Sequence, residues 1–278
     1  MNILEFTLVI GITSLFAGFL GALTGLGGGT VLVPVLTLAF GVDIRYAIGA
    51  SLVSVIATSS GAAAAYVREG YTNIRVGMFL EVATTIGALV GAFLALKLAT
   101  SAIAVIFGIV LLYSAYLSSR SQQDHPLNAE PDAIATRLNL NGCYPTPDGL
   151  QPYQVQNVPV GFGLMFIAGI LSSLLGIGSG AVKVLAMDHV MQLPFKVSTT
   201  TSNFMIGVTA AAGAGAYLSR GYVDPGLAMP VMLGVLLGSL LGARTLVRTR
   251  PRLLRQVFSG VVVVLALQMI YNGLTGRI

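Results

Sequence analysis

The chain has 278 residues, 55% of them hydrophobic and only 9% charged, with a mean hydropathy of +0.86. Soluble domains carry roughly 25% charged residues, so a soluble fold is excluded and an integral membrane protein is expected. The net charge of +5 is modest and bears on topology ahead of any partner, no nucleic-acid partner is implied, and the single Cys143 excludes an internal disulfide.

The length allows about eight to ten crossings of roughly 20 residues each. The opening MNILEF has no basic n-region, so it reads as the start of a membrane segment and not as a cleaved signal. Residues 3–40 form one long apolar run, interrupted by "GALTGLGGGTVLVP" at positions 21–34. A phosphate-binding P-loop would need Lys and then Ser or Thr after the last glycine, where Thr30 and Val31 stand. A dinucleotide fingerprint would need a βαβ context, and no alternating strand pattern surrounds these residues.

Residues 46–67, 74–96 and 101–118 read as single helices. Residues 119–157 are polar and proline-rich, a linker that either tethers or binds a regulator. The pattern then resumes, with a long run at 158–193 broken at "GIGSG" and single helices at 197–218, 225–247 and 254–273. This return is an internal repeat at a shift of 151 positions. Ala17-Gly18 falls on Ala168-Gly169, and Gly25, Gly27 and Gly29 fall on Gly176, Gly178 and Gly180. Ser51 falls on Ser202, Tyr66 on Tyr217, Gly70-Tyr71 on Gly221-Tyr222, and Gly87 on Gly238. The expected domains are a first transmembrane repeat (1–118), the linker (119–157) and a second repeat (158–278).

Charge orients the copies. If each long run is a hairpin that returns to its own side, the repeats are inverted. With the start outside, nine basic residues then fall inside and four outside. If each run crosses once, the repeats are parallel and the split is seven against six. The positive-inside rule favours inversion, with both termini outside and the linker cytoplasmic. The hairpins have 38 and 36 residues, and two full crossings need about 40, so the glycine turns are expected to stop within the membrane.

Bare backbone at that depth is tolerated only where protein buries it or where it lines a wet cavity. A helix that starts at each turn would aim N–H groups and a positive dipole end inward. Inverted symmetry would let two such ends face one midplane anion. The candidate binding residues are Gly27, Gly28, Gly29 and Thr30, with Gly178, Ser179, Gly180 and Ala181. Packing competes with this reading, and it is preferred for Gly87 and Gly91. Ser51, Ser202 and Asn203 would add neutral donors, unless such hydroxyls bond back to their own helix carbonyls. Ser54, Thr58 and Thr201 lie in the same polar turns.

Lys183 follows the second turn where the first copy has Leu32, and it would supply an asymmetric positive charge, reach an interface, or pair with Asp188. Glu81 is the intramembrane carboxylate, a candidate for proton coupling unless it snorkels to the surface. Arg244 lies near a helix end and is expected to snorkel. His189 beside Asp188 is a poor basis for a metal site with only two histidines in the chain. No metal or other cofactor is expected.

The stretch "LTGLGGGTVLVPVL", its echo "LLGIGSGAVKVLAM", and the "GASL" and "TTSN" motifs resemble the sulfite exporter TauE/SafE family across nearly the whole chain outside the linker. That resemblance implies an inner-membrane permease, and an exporter, for small sulfur-containing anions such as sulfite or organosulfonates. Ser179 and Lys183 depart from the glycine-rich pattern and break the symmetry of any substrate contacts. A channel would use the same residues without alternating access. An intramembrane enzyme is disfavoured, because Ser179 lies in no G-x-S-x-G elbow and has no base beside it. The oligomeric state is left open, with a homodimer as one option.

Overall fold

A computed structural model describes residues 3–24, 28–68, 70–119, 132–146, 149–246 and 251–277. It is mostly helical. The first half holds α1 (Ile3–Thr24), α2 (Gly29–Phe40), α3 (Ile44–Arg68), α4 (Ile74–Lys97) and α5 (Thr100–Ser119). Helix α6 (Ala133–Arg137) and a hairpin of β1 (Gly142–Thr146) and β2 (Gly149–Tyr153) follow. The second half holds α7 (Val158–Leu175), α8 (Gly180–Leu185) running into a π-helical turn (Ala186–Val190), α9 (Phe195–Ser219), α10 (Pro225–Leu246) and α11 (Pro251–Leu274).

Matched positions of the two halves do matched work. Asn73 caps α4 through its side-chain oxygen, which accepts from the Val76 N–H at 3.0 Å. Its counterpart Asp224 accepts from the Gly226 N–H at 2.9 Å at the start of α10. Such caps satisfy N–H groups that the first helical turn leaves without partners.

Packing repeats in the same way. Helix α1 lies along α10, and α4 lies along α7. A Cβ at Gly18 would strike the Val235 carbonyl, and one at Gly169 would strike the Thr84 carbonyl. Likewise Gly87 faces the Phe166 carbonyl and Gly238 the Leu15 carbonyl. Helix association in lipid gains little from apolar burial, so small residues that admit close backbone approach carry the contact. Gly87 and Gly91 are thus packing residues of the α4–α7 seam.

Helices α3 and α9 cross the centre antiparallel. Arg45, at the start of α3, stacks over the Tyr222 ring at 5.7 Å, just past the end of α9. Lys196, at the start of α9, stacks over Tyr71 at 5.5 Å, just past the end of α3. Helices α5 and α11 pair as well. The outward faces of α4 and α10 are apolar, with Met78, Val82, Ile86 and Leu89 on one and Met229, Leu233, Leu237 and Leu240 on the other. The polar side chains Ser51, Ser54, Ser198, Thr201, Ser202 and Thr209 are buried inside.

The β1–β2 hairpin departs from an all-α chain. Gly149, the first residue of β2, sits at φ +121°, which favours glycine. The segment packs on the protein. Asn73 Nδ2 donates to the Leu140 carbonyl at 2.8 Å and to the Tyr153 hydroxyl at 2.7 Å. Burial pushes the Tyr153 phenol up to about 12, so it stays neutral and available as that acceptor. Leu140 and Val155 join a core with Val76, Leu80, Val158 and Met191.

The glycine seams generate a test. Gly169→Val overfills the α4–α7 contact and is expected to cost about 1–3 kcal/mol, seen as a lower melting temperature in detergent. Gly215→Val meets nothing within 4 Å and should melt close to the parent.

Candidate functional site

The second turn is fully described. Gly176, Gly178 and Ser179 lie at φ +68°, +68° and +47°, so three of four consecutive residues are left-handed. Glycine takes this conformation without strain, and serine does not. Ser179 is held there by its hydroxyl, which donates to the Ala168 carbonyl of α7 at 2.7 Å. The first turn is described from Gly28 onward, and Gly27 lies outside the described residues. Gly28 is in a helical conformation, and its carbonyl accepts from the Val31 and Leu32 N–H groups as α2 begins.

The two turns meet. A Cβ on Gly29 would stand 2.6 Å from the Gly176 carbonyl oxygen, 2.7 Å from Ser51 Oγ and 3.3 Å from Ile177 Cα. Ser51 Oγ donates to that same Gly176 carbonyl at 2.6 Å, tying α3 of the first half to the turn of the second. A Cβ on Gly178 would meet Ile206 of α9 and Val55 of α3, and one on Gly180 would meet Ile206 with Ser202 Oγ 3.8 Å away. Ser202 Oγ donates to the Gly180 carbonyl at 3.4 Å. The crossing pair α3 and α9 therefore cradles both tips.

The structure thus brings together Gly29, Ser51, Gly178, Ser179, Gly180 and Ser202. Thr30 is buried at the start of α2, and Ala181 lies in the first turn of α8. The protons of Ser51, Ser179 and Ser202 are committed to main-chain carbonyls. These hydroxyls bond turns and a neighbouring helix, not their own helix carbonyls. Asn203 is half-buried, and among the described residues no hydrogen bond ties it to either turn.

Lys183 is fully buried, and its Nζ donates to Thr209 Oγ1 at 2.5 Å. Thr209 in turn donates to Glu81 Oε1 at 2.7 Å. The two charged residues that the sequence singles out separately are therefore joined through one hydroxyl. Thr209 is the residue that sequence reasoning missed. Its signal was present, because it is the repeat counterpart of Thr58, which the polar turn of α3 made conspicuous. His189 Nε2 lies 3.8 Å from the Asp188 carboxylate, and the described residues hold no metal-ligating cluster.

A polytopic helical bundle with lipid-facing apolar sides, a polar interior and paired broken helices has the form of a membrane transport protein. Comparison with known proteins agrees. Residues 10–269 match the family described as "Sulfite exporter TauE/SafE", and the chain belongs to that family of membrane transporters. It is 26% identical over 274 residues to "Probable membrane transporter protein YunE" of Bacillus subtilis, covering 96% of this chain and 98% of that one. It is 27% identical over 274 residues to "Probable membrane transporter protein MJ0441" of Methanocaldococcus jannaschii, covering 93% of each. No solved structure matches the chain.

The turn geometry has a direct consequence. Ser51→Ala leaves the Gly176 carbonyl without its donor and should lower thermal stability by about 1–3 kcal/mol. Gly178→Val forces a branched side chain into a left-handed position against Ile206, and should yield inserted protein without transport. Transport by Gly178→Val at the parent rate contradicts a role for this turn.

Proposed function

We propose that the protein exports small sulfur-containing oxyanions, such as sulfite or organosulfonates, by alternating access. The anion binds at mid-membrane between the two glycine turns. The observation that carries this reading is the meeting of Gly29 with Gly176 and Ile177, which gives one junction to two helix starts. Main-chain N–H groups near Gly28–Thr30 and Ser179–Ala181 are the main donors. Each helix start contributes about half a positive charge. Neutral donors let the anion leave, where a bare ion pair in low dielectric would hold it. Ser51, Ser179 and Ser202 fix the turns in the state described, and Asn203 and Lys183 complete the site. The sulfur-anion class follows the family's description.

The two repeats, 1–118 and 158–278, are read as inverted copies joined by the 119–157 linker. The antiparallel crossing of α3 and α9 and the matched cation–ring pairs at its two ends support this. With it goes the topology that the basic residues favour, both termini outside and the linker cytoplasmic in an inner membrane. Inversion also supports alternating access, since each half can rock against its counterpart.

Proteoliposomes loaded in turn with sulfite, sulfoacetate, thiosulfate and sulfate test the substrate class. Saturable counterflow of sulfite or a sulfonate is expected, and conductive, unsaturable flux of all four points to a channel. Cys143 is exposed and tests the topology. An impermeant maleimide should label it only after permeabilisation, and labelling in intact cells overturns the cytoplasmic linker.

A further inference from the structure

Glu81 is the least explained polar group in the described interior. Its residue is only 7% exposed. Oε1 accepts from Thr209 Oγ1 at 2.7 Å and from Thr85 Oγ1 at 3.3 Å, while Oε2 has no hydrogen-bond partner among the described residues. Buried polar atoms are nearly always paired, so an orphan carboxylate oxygen calls for a reason. Beyond Thr209 lies Lys183 Nζ. A threonine hydroxyl has one proton. Because Thr209 accepts from Lys183, that proton has two places to go, Glu81 Oε1 or the Met205 carbonyl at 3.0 Å.

The chain carries its own control. The repeat counterparts of Lys183, Thr209 and Glu81 are Leu32, Thr58 and Met232. Among the described residues, Thr58 bonds its own helix, at the Ser54 and Val55 carbonyls. The matched positions of the other half therefore carry no charge. Replacing a buried ion pair by apolar residues is often neutral or stabilising, so stability does not account for this pair.

Electroneutrality does. Lys183 and an ionised Glu81 sum to zero. A monoanion entering beside Lys183 leaves one uncompensated negative charge in low dielectric, unless one proton enters with it. Among the described residues, Glu81 Oε1 is bonded by Thr209 and Thr85, and Thr209 in turn by Lys183. Helix α7 has no titratable side chain. On α9, Lys196 stacks over Tyr71, and Tyr217 donates to the Ser173 carbonyl. On the π-helical turn, Asp188 and His189 face each other.

We propose that Lys183, Thr209 and Glu81 form a proton-linked anion site, in which a small monoanion takes over Lys183 as Glu81 becomes protonated. This rests on the substrate reading above. The proton arrives from bulk water and bonds to Glu81 Oε2. Thr209 turns its own proton to the Met205 carbonyl. The Lys183 ammonium then donates to the anion in place of sharing Thr209 with the carboxylate. Net charge is zero before and after, and one proton is bound for each anion.

Methanesulfonate is the probe, because it stays ionised and any proton taken up goes to the protein. Calorimetry of the purified protein in two buffers of different ionisation enthalpy counts that proton. The parent should take up about one per anion, and where Glu81 is ionised its affinity should fall about tenfold per unit rise in pH. Glu81→Gln should bind with no uptake and a flat pH profile. Lys183→Met should bind at least about tenfold more weakly, the loss of an interaction of about 1.4 kcal/mol or more. The double variant Glu81→Met with Lys183→Leu carries the repeat's own residues, so it should melt near the parent and show no uptake. Binding by the parent without proton uptake, or uptake that persists in Glu81→Gln, overturns the proposal. A parent that binds neither methanesulfonate nor sulfite overturns the substrate reading instead.

Discussion

The structure depends on satisfying peptide groups where a helix is broken inside the buried interior. An unpaired carbonyl or N–H in hydrocarbon costs several kcal/mol, so a broken helix survives only if other protein groups reach it. Here the reach is mutual. Ser51 of the first half bonds the Gly176 carbonyl of the second, and Ser202 and Ser179 hold the same turn from α9 and toward α7. The polar side chains on the central helices are thus the scaffold of the turns.

Close approach of helices frames that scaffold. The α1–α10 and α4–α7 seams are built from glycines seated on carbonyls, at matched positions in the two halves. Each half lends its first helix to the other half's fourth. Neither half can bury its own seam, which is the physical meaning of the repeat. The linker is anchored to the same frame, because Asn73 caps α4, holds Leu140 and Tyr153, and through its N–H meets Thr201 of α9 at 3.1 Å.

Much of this was legible in the sequence, and for identifiable reasons. Hydropathy marks helices because lipid demands it, and the register of Gly18 with Gly169 or Tyr71 with Tyr222 survives because each is a contact point. The meeting of Lys183 and Glu81 was not legible. They lie far apart in the chain, on α8 and α4, and the repeat replaces both with apolar residues. Nor could the sequence say which partner a buried serine chooses. Ser51 shares a helical face with Ser54 and Thr58, yet its acceptor is 125 residues away. The fold within 132–153 was hidden because a short helix and a two-stranded hairpin carry little periodicity.

The proposed site is asymmetric in charge and nearly symmetric in backbone, and this difference can be located directly. Anomalous diffraction from crystals grown with 2-bromoethanesulfonate would place the bromine and the sulfonate. Density at the junction of Gly29 and Gly176, with the sulfonate toward Lys183, is the expected result. Density beside Leu32, or on the outer surface with the junction unchanged, contradicts a shared anion site between the two turns.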